Sequence, residues 1–310
     1  MGLSKKFNKC LVLGANGFVG RSLVCELVTH FDHVVTYSLD LSEEITLDGV
    51  TNIVADFFDE GTLQKAVDGC DVIIHLITTM TPASSNKAPL QDIEQNLLGS
   101  VKLLEICRTS SVKKVIYLSS GGTVYGDLDA VEKASETHTT EPSCSYGITK
   151  LAFEKYLSLY RQQYDIDSTV LRVSNPYGPL QMCKNSQGVI ASFIDKAITG
   201  NELQIWGDGT AVRDFIYIDD LVSAIIKSIY YNGNKSVFNI GSGYGVSLNK
   251  VLSTIQGIIE DDLKLIYIDN NYSGVSRSVL DNSLAINELG WYPRFSLEEG
   301  LKETISFKKK

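Results

Sequence analysis

Tyr146 and Lys150 stand four residues apart in Tyr146-Gly147-Ile148-Thr149-Lys150. That spacing puts a phenol and an ammonium on one face of a helix. A free phenol, with a pKa of about 10, is a poor base at neutral pH. A neighbouring cation stabilises the phenolate and brings it toward the range of a general acid/base. The pair alone says little, because the chain has 15 tyrosines and repeats the pattern at Tyr231/Lys235, around an Asn-Gly-Asn turn. The order of the elements around each copy must separate them.

A second chemical pattern comes early. Gly14-Ala15-Asn16-Gly17-Phe18-Val19-Gly20 follows the apolar run Cys10 to Leu13 and opens a helical pattern. Glycine lets the backbone turn tightly and approach a pyrophosphate, whose charge rests on free N–H groups at the positive end of the helix dipole. Gly14, Asn16, Gly17, Phe18, Val19 and Gly20 are therefore expected to bind a dinucleotide. Gly241-Ser242-Gly243-Tyr244-Gly245 is also glycine-rich but lies late, outside the first strand–helix–strand unit, and reads as a turn. About 20 residues past the first glycines, an acid would bind the adenosine ribose hydroxyls. Ser38 stands in that place, and Asp40 lies two residues beyond. Residues 38 to 44 hold Asp40, Glu43 and Glu44 and no base, so a 2′-phosphate would meet like charge. NAD is expected rather than NADP. Asp56 and Phe57, after the third strand, are assigned to the adenine edge.

These groups need a frame. Short apolar runs at Cys10 to Leu13, Val34 to Tyr37 and Val72 to Ile77 alternate with helical patterns at Gly20 to Thr29 and Thr62 to Val67. The alternation continues with a helix near Ile93 to Arg108, a strand at Val115 to Leu118, a helix from Tyr146 to Tyr164 and a strand at Ser168 to Val173. Such alternation predicts an α/β fold, a doubly wound parallel sheet of the Rossmann type. From Asn175 on the spacing is irregular, which predicts a smaller C-terminal substrate-binding lobe. The expected division is residues 1–172 with a return segment of about 213–240 for the dinucleotide domain, and 173–212 with 241–310 for the lobe.

Composition narrows the partners. A net charge of −9 and a pI near 5.0 disfavour a nucleic-acid groove or an anionic membrane surface. No apolar run approaches the roughly 18 residues of a membrane span, and Met1 to Lys9 is polar, so the cytoplasm is expected. The six cysteines lie far apart without a CxxC pair, which predicts neither a metal site nor a disulfide framework, and mostly buried thiols. His75, ending an apolar strand, reads as a hydrogen-bonded core histidine. Lys308 to Lys310 read as a solvated end.

The order of motifs distinguishes Tyr146 from Tyr231. The glycine turn comes first, then Ser119-Ser120-Gly121-Gly122-Thr123-Val124-Tyr125-Gly126, then the Tyr146/Lys150 helix, then Arg172-Val173-Ser174-Asn175-Pro176-Tyr177-Gly178. Further matches are the Asp71-to-Leu76 strand, Asn96 to Ser100, Trp206 to Gly209, Arg213 to Tyr217 and Leu289-Gly290-Trp291. Over nearly its whole length the chain resembles the extended short-chain dehydrogenase/reductase family. The likeness is greatest to the NAD-dependent nucleotide-sugar epimerase/dehydratase group and its UDP-galactose 4-epimerase branch. The resemblance implies that Tyr146 is the acid/base and that Lys150 holds the nicotinamide ribose. It adds Leu76, Asn96 and Ser119 to the cofactor-binding set. It assigns Asn175 and Arg213 to the phosphates of a nucleotide sugar, Trp206 to the base, and Val189 and Arg277 to the substrate site. It also implies a homodimer formed by helices around Asn96 to Cys107 and Tyr146 to Tyr160.

Two departures qualify the implied reaction. Gly121 stands where the 4-epimerases usually have a Ser or Thr on the reacting sugar hydroxyl, so Ser120 first and Thr123 second are expected to take that contact, and a serine at 121 to restore it. Asn271 replaces the family's second phosphate-binding Arg, with Arg277 nearby. Gly122-Thr123 stand where the family's dehydratases carry an Asp-Glu pair, which removes the carboxylates dehydration needs. The reading is a 4-epimerase acting through a transient 4-keto sugar. Its alternative is an NAD(P)H-dependent reductase of a nucleotide-linked 4-keto-6-deoxy sugar. A non-catalytic dinucleotide sensor is a distant third, because the chain keeps both Tyr146 and Lys150.

Overall fold

A computed structural model of the chain describes residues 7–40, 45–128, 132–182, 188–268 and 275–310. The first half is built on β1 (Lys9–Leu13), β2 (His33–Ser38), β3 (Val50–Val54), β4 (Val72–His75), β5 (Lys114–Ser120) and β6 (Asp167–Val173). The second half adds β7 (Asn175–Tyr177), β8 (Leu203–Trp206), β9 (Val212–Tyr217), β10 (Val237–Ile240), β11 (Gly245–Ser247), β12 (Leu265–Ile268) and β13 (Arg277–Ser278). Seven strands form a parallel sheet in the order β10-β6-β5-β4-β1-β2-β3. The doubly wound sheet read from the sequence is the sheet observed.

Both faces are buried because strand side chains alternate. On β1, Cys10 and Val12 join a core with Val24 and Leu27 of α1 (Phe18–Leu27) and Leu221 and Ile225 of α9 (Ile218–Tyr230). Leu11 and Leu13 face the other way, toward Leu63 of α2 (Glu60–Val67), Leu103 of α5 (Gly99–Arg108) and Phe153 of α7 (Ser145–Tyr164). The helix expected from Ile93 begins earlier. Two short helices, α3 (Pro82–Ser85) and α4 (Pro89–Asp92), precede it, and α4 runs through a π-helical stretch, Ile93–Leu98, into α5. The remaining helices are α6 (Gly121–Val124), α8 (Val189–Ile198), α10 (Leu248–Ile259), α11 (Ser283–Leu289) and α12 (Leu297–Lys308).

A second sheet orders β11-β9-β13, with β7 beside β9, and β8 pairs with β12. Because β9 belongs there, the return to the central sheet starts with α9 at Ile218 rather than near residue 213. The late glycine stretch is a turn with its own reason. It wraps the fully buried Asp214 carboxylate, which accepts the Ser242 N–H and hydroxyl at 2.7 Å each and the Gly243 and Leu280 N–H groups at 3.2 Å. A Cβ at Gly241 would collide with that carboxylate.

Among the described residues no helix is long and apolar enough to cross a membrane, and no cluster of His, Cys, Asp and Glu is placed to hold a metal. Of the five described cysteines, all free thiols, Cys10, Cys70 and Cys107 are buried, Cys144 is half-buried and Cys25 is exposed.

Candidate active site

A cavity of about 710 Å³ opens at the carboxyl ends of the central strands. It lies where the chain reverses direction across the sheet, between β1 and β4, the place at which open α/β sheets bind ligands. Gly14, Asn16, Gly17, Phe18, Val19 and Gly20 line one end. Gly14 has a φ of +85°, and a Cβ at Gly20 would sit 2.5 Å from the Ala15 carbonyl oxygen, so the turn and its packing on α1 both require glycine. No side chain caps α1 at Gly17, which leaves its first N–H groups for an anion.

Ser38, Asp40, Asp56 and Phe57 form the adjoining wall. The Ser38 hydroxyl accepts the Asn16 N–H at 3.0 Å, and the Asn16 amide donates to the Asp40 carbonyl. Asp56 is held by its own turn, accepting the Phe58 N–H at 2.9 Å. Glu43 and Glu44 lie outside the described residues.

Leu76, Thr78, Ser119, Ser120, Tyr146 and Lys150 line the remaining wall. The first turn of α7 has no cap of its own and borrows one from the segment at α3. The Ser85 hydroxyl accepts the Tyr146 N–H at 3.0 Å, and the Asn86 side-chain oxygen accepts the Ser145 N–H at 2.8 Å. Burial pushes the Tyr146 phenol up to about 12, against the pull of the Thr78 and Ser120 hydroxyls. Burial also brings Lys150 down to about 8, opposed by the charges of Glu154 and Asp92. Its ammonium donates to the Leu118 carbonyl at 2.8 Å and lies 5.6 Å from the centre of the Tyr146 ring. A cation is thus fixed beside a phenol that needs cations to ionise.

The serine loop answers the question raised at Gly121. A Cβ there would meet Leu280 at 2.6 Å and the Arg172 carbonyl oxygen at 3.1 Å, so position 121 points into packing rather than the cavity. A serine at 121 would not restore a lost hydroxyl, and that expectation is corrected. Thr123 is also outside the cavity wall. Its hydroxyl is 3.4 Å from the Ser120 carbonyl, and its Cβ would lie 3.2 Å from a Cβ at Gly147. Ser120 alone of the two candidates lines the cavity and reaches the phenol. Ser120→Ala should lower kcat by about 10²-fold, as expected for one lost donor to a developing oxyanion. Thr123→Val should leave kcat near the parent value, and steady-state kinetics on the three proteins checks the ranking.

Asn96 is not in the cavity wall; it bonds to Thr79 behind it. Asn175, Val189, Trp206, Arg213 and Arg277 are not in the wall either. Asn175, Arg213 and Arg277 gather on the second sheet, where Asn175 pairs with Phe215 and Arg277 with Val212. The Asn175 amide donates to the Asp214 carbonyl at 2.9 Å, and the Arg277 guanidinium to the Glu132 carbonyl at 3.2 Å. Arg213 donates to backbone carbonyls of Val212, Val275 and Ser276. Trp206 is half exposed at the end of β8, and Val189 opens α8. Asn271 lies outside the described residues. His75 is a core residue, bonded to the Ser100 hydroxyl at 2.8 Å and held neutral, down to about 3, by burial and the Lys150 charge.

Several residues of the site escaped the sequence. Thr78, Arg21 and Gln181 line the cavity without belonging to a quoted motif, and Ser174 lines it from within one that gave it no role. Glu154 extends the face of Tyr146 and Lys150 by one more turn and pairs with Arg172, so its spacing was a usable signal. Tyr231, by contrast, donates to Glu288 at 2.8 Å outside the cavity wall.

A glycine turn at the switch point, in one cavity wall with a Tyr/Lys pair, defines a dinucleotide-dependent α/β enzyme. Residues 10–241 match the NAD dependent epimerase/dehydratase family, and the chain belongs to that family. A putative UDP-glucose 4-epimerase of Methanocaldococcus jannaschii is 32% identical over 96% of this chain and 98% of its own length. A dTDP-4-dehydro-6-deoxyglucose reductase of Escherichia coli is also 32% identical, over 96% of each chain. The Thermus thermophilus UDP-glucose 4-epimerase, solved in complex with NAD, superposes with a TM-score of 0.89 at 28% identity, covering 97% of this chain and 99% of that one. The chain is an NAD-dependent enzyme of the nucleotide-sugar epimerase and reductase group.

Proposed function

We propose that this protein is an NAD-dependent nucleotide-sugar 4-epimerase acting through a transient 4-keto sugar. The observation that carries the reading is Tyr146, half-buried in the cavity wall that it shares with Ser120, with the Lys150 ammonium 5.6 Å from the centre of its ring. Ser120 and Tyr146 hold the sugar 4-hydroxyl, Tyr146 takes its proton and later returns it, and Lys150 stabilises the phenolate in between. NAD, held by the glycine turn at Gly14, Asn16 and Gly17, would supply the hydride acceptor and donor for C4. The cavity suits that cofactor. The Ser174 hydroxyl and the Gln181 side-chain oxygen are buried in its wall with no partner among the described residues, leaving polar groups for a bound molecule.

The E. coli relative supports the second reading, a 4-keto-6-deoxy-sugar reductase. Its Tyr and Lys would work alike, but it would consume reduced cofactor. Mass and absorbance of the purified protein, with assay of UDP-glucose/UDP-galactose interconversion, separate the two. Retained NAD and interconversion without added cofactor support the epimerase. An empty site, with turnover only when NAD(P)H is supplied, would replace it with the reductase.

NAD(H) should bind more tightly than NADP(H), because Asp40 lies where a 2′-phosphate would fall. Ser38→Arg should narrow the gap, and equal affinities in a titration of the parent protein would overturn the point. By this reading the central sheet holds NAD, and the second sheet and its loops hold the nucleotide sugar. A cytoplasmic location suits unpaired thiols. A homodimer is part of the same proposal. Ile148, Tyr156 and Leu159 expose one apolar face of α7, next to the exposed Ile93 and Leu98 of the helix before it, an arrangement suited to self-complementary pairing. Sedimentation as a monomer would remove that part.

A further inference from the structure

Asp92, at the end of α4, is fully buried, and among the described residues none of the groups bonded to it is a cation. Its carboxylate is instead met by neutral donors from two directions. From α7, the Ser145 hydroxyl donates to it at 2.7 Å, and the Thr149 hydroxyl lies 3.3 Å away. From the π-helical stretch, the Asn96 amide donates to it at 2.8 Å.

The Asn96 side chain turns its NH₂ toward Asp92. Its oxygen is then committed the other way, to the Thr79 N–H at 3.0 Å, while the NH₂ also reaches the Thr79 hydroxyl at 3.1 Å. Thr79 follows Thr78, which lines the cavity together with Tyr146. Ser145 precedes Tyr146 itself. Two routes, one through the helix that carries the phenol and one through the loop that presents its neighbour, converge on one carboxylate.

We propose that Asp92 is a positioning residue for the acid/base, keeping Tyr146 on α7 and Thr78 after β4 in register through Ser145 and Asn96. The proposal rests on the reading of Tyr146 as the acid/base. A proton acceptor displaced by a fraction of an ångström loses rate while substrate still binds. The signature is therefore a fall in kcat without a matching rise in KM. Retention of NAD should not change, because Asp92 and the residues bonded to it, Asn96, Ser145 and Thr149, lie outside the cavity wall.

The test uses the full-length, NAD-loaded protein. Asp92→Ala should lower kcat by about 10-fold to 100-fold with KM and NAD affinity within about twofold. Ser145→Ala should lower it in the same direction, and the double variant by less than the product of the two factors, because both changes cut one link. Asp92→Asn keeps the shape but no longer dictates the orientation of Asn96, so it should fall between the parent and Asp92→Ala. It carries the test if the alanine variant does not fold. Amide hydrogen exchange needs no substrate. Exchange should quicken at residues 78–80 and 145–149 in the Asp92 variants while β1 and β5 stay protected. Unchanged exchange in both segments, or a kcat within about twofold of the parent in Asp92→Asn and Ser145→Ala alike, would overturn the proposal. If instead Tyr146→Phe turns over normally, the acid/base reading fails, and the exchange data still decide whether Asp92 couples the two segments.

Discussion

Tyr146→Phe is expected to lower turnover by about 10³-fold or more while leaving NAD affinity nearly unchanged. On the proposed reading the substitution removes the phenol that takes and returns the proton of the sugar oxygen, and it keeps the ring that lines the cavity. Desolvation in the cavity wall pushes the phenol up and holds it protonated until a cation offsets the cost. Lys150 is that cation within the chain. Single-turnover and steady-state rates on the NAD-loaded protein check the effect, and near-normal turnover would end the assignment. Tyr231→Phe should match the parent in the same assay, because its hydroxyl serves Glu288 in a surface turn.

A loss of stability of about 3–5 kcal/mol is expected for Glu154→Ala, since removing one member of a buried ion pair leaves the other charge without compensation. Glu154 and Arg172 have side chains only 3% and 5% exposed, paired at 2.7 Å. The guanidinium also donates to the Tyr125 hydroxyl at 2.9 Å, and that hydroxyl donates to Asn239 at 2.6 Å. Urea unfolding should show a lower midpoint at an unchanged slope. Replacing both partners with apolar residues of similar size should recover most of the loss. The chemistry should respond as well. Burial lowers Lys150, and Glu154 is first among the charges that oppose the shift. Glu154→Gln therefore lowers it further. The ammonium is the working form and is lost as pH rises through its pKa, so the alkaline limb of the activity profile should move to lower pH. An unmoved limb would separate Glu154 from Lys150.

Local patterns carried the sheet and one end of the site, because their geometry is local. The glycine turn is a few consecutive residues, and Tyr146 and Lys150 share one helical face. What stayed hidden depends on contacts between distant segments. Gly121 looked like a missing hydroxyl until Leu280, far along the chain, was seen to fill the space beside it. Thr123 lies two residues beyond Gly121, but α6 begins at that glycine, so the alternation of an extended loop does not hold. Asp92 belongs to no motif, and its meaning comes from Ser145 and Asn96. The late glycine stretch could be dismissed as a cofactor loop by its position, but the buried Asp214 that it wraps was not readable. Asn175, Arg213 and Arg277 could be named from the motifs, while their bonds to backbone carbonyls could not.

The place of β10 has a consequence for how the protein is made. Six of the seven central strands are complete when Val173 has left the ribosome, yet the outer edge of β6 waits for Val237 to Ile240. The apolar side of the sheet likewise waits for Leu221 and Ile225 of α9. In that interval the nascent chain presents an open strand edge and a hydrophobic face covered only by α1, two features that invite aggregation. The dinucleotide half is thus not a module that can be cut out at Val173. A fragment of residues 1–173 should aggregate where one of residues 1–240 stays in solution, and light scattering of the two would show whether the late strand is the closure the early ones require.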